Sequence, residues 1–148
     1  MRIALAADHA GYVLKDELAR WLREQCHEVE DLGTNGPDSV DYPEFGSKLA
    51  RVVGSGGAAK GIVVCGSGIG ISIAVNRDPR CRCARVDDPL SAGLAREHND
   101  ANVLALGARL VGPDMAKACV EAFLGTEFAG GRHQRRIDQL SSLLQESD

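Results

Sequence analysis

The stretch from residue 61 to residue 72 constrains the fold of this chain more than any other. An apolar run at 62–65 is bounded by glycines, and a loop with glycine at positions 66, 68 and 70 leads into a second apolar segment. A short apolar run of this kind is typical of a strand buried on both faces of a parallel sheet. The glycines allow a sharp turn and let several backbone N–H groups approach one bound oxygen atom. The sequence therefore predicts a strand, a tight loop and a helix whose positive end faces the loop.

Strand and helix patterns alternate along the whole chain. Strands are predicted at 2–7, 28–32, 61–65, 82–86 and 102–106. Helices are predicted at 12–25, 45–53, 71–76, 89–97 and 114–124, and a basic helix is predicted at about 132–144. Repetition of this kind gives a parallel sheet covered by helices on both faces, with right-handed crossovers. We expect a single α/β domain over residues 1–148, a Rossmann-like three-layer sandwich of about five parallel strands that binds its ligand past their carboxyl ends.

Composition argues against several classes of protein. The formal net charge of −4 disfavours a nucleic-acid or anionic-membrane partner. No stretch approaches the roughly 20 apolar residues that a membrane span needs, and Asp8 and His9 interrupt the apolar start too early for a signal peptide. The five cysteines are odd in number and lack framework spacing, so we expect reduced thiols in a cytoplasm.

Cys65 stands where the predicted strand meets the glycine loop. A thiol beside a helix N-terminus is a stronger acid and can serve as a base or nucleophile. Ile71 occupies the position where a dinucleotide fingerprint needs its third glycine, and no Lys-Ser/Thr pair follows as in a Walker A loop. A phosphatase cradle would need arginine at the same position. The alternative is a tight turn that carries a buried, inert cysteine.

A basic group follows Gly130 and Gly131. Arg132 and Arg136 are four residues apart and share a helix face. At a helix N-terminus these cations oppose the helix dipole, and a bound anion would remove that conflict. Arginine suits phosphate because its planar fork donates two hydrogen bonds at once. A solvated basic face is the alternative; a nucleic-acid patch is disfavoured because aromatic residues are not interleaved.

Two further polar pairs have both a structural and a functional interpretation. Asp8 and His9 end the first strand, where Asp8 either caps the next helix or lies beside a ligand. An imidazole is the side chain best suited to proton delivery near neutral pH, which gives His98 a functional interpretation. However, His98 in the last turn and Asn99 as a left-handed stop also suit a plain helix end.

Tyr42 and a pair of cysteines give weaker signals. Pro43 is expected to hold Tyr42 extended and half-buried. Cys81 and Cys83 are expected to face the same side of a strand. No His or Cys cluster with metal-ligand spacing accompanies them, so we expect no metal site.

Together these motifs resemble those of the type B ribose-5-phosphate isomerases, within the wider family that includes galactose-6-phosphate isomerase. The resemblance covers nearly the whole chain. The motifs that carry it are, in order, Ala7-Asp8-His9-Ala10-Gly11, Asp41-Tyr42-Pro43, Cys65-Gly66-Ser67-Gly68-Ile69-Gly70-Ile71-Ser72, Arg96-Glu97-His98-Asn99, Leu106-Gly107-Ala108-Arg109 and Arg132-His133-Gln134-Arg135-Arg136.

The resemblance implies a role for each matching residue. Cys65 would shuttle a proton between C2 and C1 of an open-chain sugar, and Ser67 and His98 would open the furanose ring, with Asp8 nearby. The remaining assignments are an enediolate hole from the amides of Gly66, Gly68, Ile69 and Gly70, phosphate contacts from His9, Arg109, Arg132 and Arg136, and a sugar site lined by Asn99 and Tyr42. One subgroup of the family lacks the cysteine and has glutamate where this chain has Ile71, so this chain resembles the cysteine users.

The resemblance further implies a cofactor-free, metal-free enzyme that works as a homodimer or homotetramer, with two subunits building each site. The expected reaction interconverts ribose 5-phosphate and ribulose 5-phosphate. Two alternatives stay open: the same chemistry on allose 6-phosphate or galactose 6-phosphate, and a non-catalytic phosphate-binding module on the same fold.

Overall fold

The structure, a computed structural model, describes residues 1–142. A five-stranded parallel sheet has the strand order β2-β1-β3-β5-β4. The strands are β1 (Arg2–Ala7), β2 (Glu28–Asp31), β3 (Lys60–Cys65), β4 (Cys83–Arg85) and β5 (Val103–Gly107). The helices are α1 (Tyr12–Glu24), α2 (Tyr42–Gly54), α3 (Ile69–Asn76), α4 (Pro89–Asn99), α5 (Pro113–Gly125) and α6 (Arg132–Ser142). The α/β architecture predicted from the sequence is confirmed.

The helices cover both faces of the sheet, and each face has its own apolar core. One core contains the α1 stripe of Leu14, Leu18 and Leu22 together with Phe123 of α5. The other contains side chains of α2 and α3, among them Leu49. β1 contributes to both cores because its successive side chains alternate between the two faces. Each fully buried Leu contributes about 1.5–3 kcal/mol to folding.

The strand order places a crevice between β1 and β3. From β1 the chain crosses first to β2 on one side, and β3 pairs with β1 on the other, so the direction of winding reverses here. Ala7 pairs with Val64, and the N–H of Asp8 donates to the carbonyl of Val64 at 3.2 Å. Asp8 and Cys65 therefore leave neighbouring strands at the same level, where parallel α/β sheets bind ligands.

Three helices begin earlier than the sequence predicts: α2, α3 and, by a single residue, α5. α2 begins at Tyr42, so the expectation of an extended Tyr42 is wrong; Asp41 is the extended residue before the helix, and Tyr42 is 41% exposed. Pro43 lies in the first turn of α2, where its missing N–H costs nothing. α3 begins at Ile69, directly after a left-handed Gly68 with φ +76°.

Other element boundaries also differ from the prediction, by one or two residues each. The left-handed residue after α4 is Asp100, with φ +44°, and Asn99 is the last helical residue, so the predicted stop at Asn99 is wrong by one position. β4 begins at Cys83, so Cys81 lies before the strand and does not share a strand face with it; the Cys81 thiol donates to the Ala50 carbonyl at 3.4 Å. α6 is described to Ser142, and the predicted residues 143–144 lie outside the described residues.

Within residues 1–142, no helix combines the length and the apolar character needed to cross a membrane.

Candidate active site

Cys65 is the last residue of β3, and the loop that follows folds back onto its sulfur. The N–H of Gly68 donates to Cys65 Sγ at 3.1 Å, and the side chain of Cys65 is buried. Gly68 has φ +76°, and a Cβ at this position would lie 2.8 Å from the carbonyl carbon of Leu106. Only glycine fits both the backbone conformation and the close approach to β5. The glycine at position 68 therefore places a hydrogen-bond donor on the sulfur.

The positive end of α3 closes the same loop. Ser67 Oγ accepts a hydrogen bond from the N–H of Ile69 at 3.1 Å, so this hydroxyl satisfies one of the unpaired amides at the start of α3. Gly107, at the end of β5, has no side chain, and a Cβ there would lie 2.6 Å from the carbonyl oxygen of Ser67. The loop is thus fixed between the helix that it begins and the neighbouring strand.

A cavity of about 490 Å³ opens beside this loop at the carboxyl end of the sheet. Nine predicted site residues line it: Asp8, His9, Tyr42, Cys65, Gly66, Ser67, Ile69, Gly70 and Arg109. They come from the ends of β1 and β3, the first turns of α2 and α3, and the turn after β5. The cavity therefore combines a thiol, an imidazole, a carboxylate, a guanidinium and a helix N-terminus.

Asp8 and His9 are held by backbone donors at the end of β1. Asp8 is buried, and its Oδ1 accepts from the N–H groups of Ala10 and Gly11 at 3.0 and 3.1 Å. Because α1 begins only at Tyr12, Asp8 stabilises the turn before the helix and is not the helix N-cap. His9 Nδ1 accepts from the N–H of Val40 at 3.1 Å. The neutral ring then has its proton on Nε2, which makes Nε2 a donor for an anion.

Tyr42 and Arg109 lie against the loop at two of its glycines, and at Gly70 only glycine leaves room for the neighbouring side chain. A Cβ at Gly70 would lie 2.7 Å from the ring of Tyr42, and a Cβ at Gly66 would lie 3.4 Å from Arg109 Nε. The N–H of Arg109 also donates to the carbonyl of Gly66 at 3.0 Å. These contacts place a phenol and a guanidinium against the loop, and both residues line the cavity.

The remaining predicted side chains, His98, Asn99, Arg132 and Arg136, are described but do not line the Cys65 cavity. They lie at the end of α4 and the start of α6. We call these four residues, together with His133, the α4–α6 cluster. Asn99 lines a different cavity of about 530 Å³, beside β4 and the second half of α6.

The imidazole of His98 stacks on that of His133. The ring centroids are 4.6 Å apart and the planes differ by 16°. Burial lowers the pKa of His133, and the nearby His98, Arg132 and Arg136 lower it further. The α4–α6 cluster is thus a second basic surface that carries a neutral ring against His98.

Some residues of the two regions were not predicted. Ala10 and Leu110 line the Cys65 cavity. The only sequence feature that could have indicated this is that they adjoin His9 and Arg109. His133 lies within a predicted motif but was given no role. Lys15 has no exposed surface, and its Nζ donates to both carboxylate oxygens of Asp31 at 2.7 Å. Lys15 lies outside both regions, and its spacing from Leu18 and Leu22 on one helix face is the signal that could have shown its burial.

The other four thiols do not line the Cys65 cavity. Burial raises the pKa of Cys81 and of Cys119 to about 11, and it raises the pKa of Cys83 as well. These three sulfurs are therefore protonated and weakly reactive at neutral pH. Cys26 is exposed. Within residues 1–142, no group of three or more His, Cys, Asp or Glu side chains is placed to hold a metal ion.

Comparison with known proteins agrees with this geometry. The ribose/galactose isomerase family model matches residues 3–140. Ribose-5-phosphate isomerase B of Escherichia coli is 44% identical over 144 residues, which cover 97% of each chain.

Two solved structures are closely similar over nearly the full length. The Clostridium thermocellum ribose-5-phosphate isomerase B matches with a TM-score of 0.98 and 47% identity, covering 100% of both chains. The Mycoplasma genitalium ribose-5-phosphate isomerase B, solved with bound ribulose 5-phosphate, matches with a TM-score of 0.94 and 38% identity over 99% of this chain and 97% of that one. The resemblance to the type B isomerases is confirmed, and the chain belongs to the ribose/galactose isomerase family.

Proposed function

We propose that this chain is a ribose-5-phosphate isomerase that interconverts ribose 5-phosphate and ribulose 5-phosphate through an enediolate. One observation carries the proposal: the Cys65 sulfur accepts the Gly68 N–H at 3.1 Å inside a cavity that also contains Arg109 and His9. That cavity supplies a base and anion donors within one site. The names of the relatives, and the ribulose 5-phosphate bound to the Mycoplasma genitalium enzyme, support the same sugar phosphate.

The proton transfer needs one base that serves two adjacent carbons. The Cys65 thiolate takes the proton from C2 of the open-chain aldose, and the electron pair moves to the C1 oxygen to give the enediolate. The C2 hydroxyl proton then passes to the C1 oxygen and the C2 oxygen becomes the carbonyl. The thiol returns its proton to C1, so no net charge or atom is gained. The amides of Gly66, Gly68, Ile69 and Gly70 are proposed to stabilise the oxygen that gains charge. In the structure the Gly68 and Ile69 amides donate to Cys65 Sγ and Ser67 Oγ, so these two would serve both partners.

The remaining roles are those that the resemblance to the family implies. Ser67 and His98 are proposed to exchange the proton that opens the furanose ring, with Asp8 nearby. His9 and Arg109 would hold the phosphate from this side of the cavity, and Tyr42 would line the sugar. Remote phosphate contacts orient the reacting carbons over Cys65, which raises the rate because the reaction becomes effectively intramolecular.

We propose a homodimer or homotetramer in which a second copy completes each site. Ile69 and Ile73 are about half-exposed on one face of α3, beside the cavity, with exposed fractions of 51% and 50%. Paired exposed isoleucines at the rim of a site favour burial against another chain. The α4–α6 cluster of that second copy would supply His98, Asn99, Arg132 and Arg136, which lie outside the Cys65 cavity of their own chain.

Two coarser properties complete the proposal. All five cysteines are free thiols, which favours the reducing cytoplasm as the compartment. The family model spans most of the chain, which supports one sugar-phosphate isomerase domain.

A substrate panel tests the proposed reaction. Purified protein is assayed with ribose 5-phosphate, allose 6-phosphate and galactose 6-phosphate, with and without the Cys65→Ala substitution. We expect the highest kcat/KM with ribose 5-phosphate and loss of turnover in the variant. A higher kcat/KM with allose 6-phosphate or galactose 6-phosphate would show that a hexose phosphate is the substrate. Binding of all three sugars without turnover would identify a phosphate-binding module.

A further inference from the structure

The peptide group between Ser67 and Gly68 is engaged at both ends. Its N–H donates to Cys65 Sγ at 3.1 Å. Its carbonyl oxygen, on Ser67, accepts a hydrogen bond from Arg85 Nε at 3.0 Å. One peptide unit thus connects a guanidinium to the sulfur of the candidate active site.

Arg85 reaches this peptide from the edge of the sheet. It is the last residue of β4 and pairs with Ala105 of β5, which separates it from β3. Its guanidinium passes the carboxyl end of β5, where Gly107 leaves room for the backbone of Ser67. An Asp87 carboxylate oxygen accepts from the guanidinium at 2.6 Å, and the Arg85 side chain is 24% exposed. Arg85 is therefore held in place from both sides and does not line the Cys65 cavity.

We infer that Arg85 is a positioning residue for the sulfur and the anion-binding loop, acting through the Ser67–Gly68 peptide. The inference rests on the proposed function of the Cys65 cavity. A cation on the carbonyl oxygen polarises the peptide, so that its N–H becomes a stronger donor to the sulfur. It also fixes the peptide plane. Gly68 permits more than one backbone conformation, so an unanchored peptide can turn its N–H away from the cavity.

The expected effect is on chemistry more than on binding. Arg85 stabilises charge on the sulfur and on the enediolate oxygen, both of which matter in the transition state. Removal of Arg85 should lower kcat by about tenfold, less than the roughly hundredfold loss typical when a direct oxyanion donor is removed. KM should change by less than about twofold, because Arg85 does not touch the cavity.

The test measures two quantities in Arg85→Leu and Arg85→Gln. The first is kcat and KM for ribose 5-phosphate. The second is the pH profile of iodoacetamide alkylation at Cys65, followed by mass spectrometry in a Cys26→Ser background that removes the exposed thiol. Arg80→Leu is the matched control, because Arg80 also pairs with an aspartate two residues away, Asp78, at 2.8 Å, but on the protein surface.

We expect both Arg85 variants to lower kcat and to move the alkylation midpoint upward by about half a pH unit or more, while Arg80→Leu matches the parent protein. The inference is overturned if the alkylation profiles coincide, or if only KM changes. Arg85→Gln keeps a polar side chain and serves if Arg85→Leu fails to fold. If the parent protein isomerises no sugar on the panel, the proposed function fails, while the alkylation profile still tests the contact between Arg85 and the loop.

Discussion

The Cys65 cavity and the α4–α6 cluster are built in different ways. The cavity is assembled where three neighbouring strands end, so the hydrogen-bond register of the sheet fixes its parts relative to one another. The α4–α6 cluster stands on two helix ends, where Arg132 and Arg136 are exposed and the half-exposed His98 ring stacks on the buried His133. A cavity with one guanidinium and a separate group of cations suggest two halves of one site. In the homodimer that we propose, the cavity is the chemical half of the site, which holds the proton-transfer base, and the α4–α6 cluster of the second copy is the binding half, which adds phosphate contacts and His98.

The largest expected effect is the loss of the base in the Cys65 cavity. Cys65→Ala should lower kcat by a factor of about 10³ or more, because no other group at that position can move the proton. Binding of ribose 5-phosphate, measured by calorimetry, should remain within a few-fold. Turnover equal to that of the parent protein would show that Cys65 is not the base. It would also contradict the assignment of the chemical half to the Cys65 cavity.

A mixing experiment tests whether the two regions meet between subunits. Cys65→Ala and Arg132→Ala proteins, each with impaired turnover, are unfolded together in equal amounts and refolded. A shared site predicts recovery of about one quarter of the parent sites, because half of random dimers are mixed and each mixed dimer has one intact site. The same mixture without unfolding is the control. Activity no greater than the sum of the two variants would place each site within one chain.

The phosphate contacts of the two regions can be compared directly. Arg109→Ala in the cavity and Arg132→Ala in the α4–α6 cluster should each raise KM for ribose 5-phosphate by about 10–100-fold, the worth of a charge-assisted hydrogen bond. KM for the phosphate-free sugar should stay within about twofold, because no phosphate contact is lost. Arg80→Leu, which removes a surface arginine outside both regions, should leave both values unchanged. Equal losses on both sugars would argue against phosphate binding.

The smallest expected effect is a pH dependence of the melting temperature that arises from His133 in the α4–α6 cluster. Burial and the adjacent His98 lower the pKa of His133 below its usual 6.5, so the unfolded chain takes up this proton at higher pH than the folded chain does. Its contribution to stability is therefore full above pH 6.5 and is lost as pH falls. We expect Tm to decline between pH 7 and pH 5, and to decline less in His133→Phe. In His27→Asn, outside the cluster, the decline should match the parent protein.

The local geometry around Cys65 was predictable, whereas the boundaries of the helices were less so. The apolar run and the alternating glycines specify a strand, a turn and a helix within a dozen residues, and the structure has all three. Tyr42 and Asn99 were misplaced for a common reason. A proline or an asparagine marks a helix end, but which residue leaves helical geometry depends on neighbours that the pattern does not contain.

The sequence by itself determined where the backbone turns, because glycine and apolar periodicity act over a few residues. It thereby determined that Cys65 ends a buried strand beside a helix start. Only the tertiary structure decided which distant side chains meet there. Arg85 reaches Ser67 across β5, and Lys15 reaches Asp31 across 16 residues. The division between the Cys65 cavity and the α4–α6 cluster has the same origin. Such contacts follow from the order of strands in the sheet, and strand order is a property of the whole packed chain that no local pattern encodes.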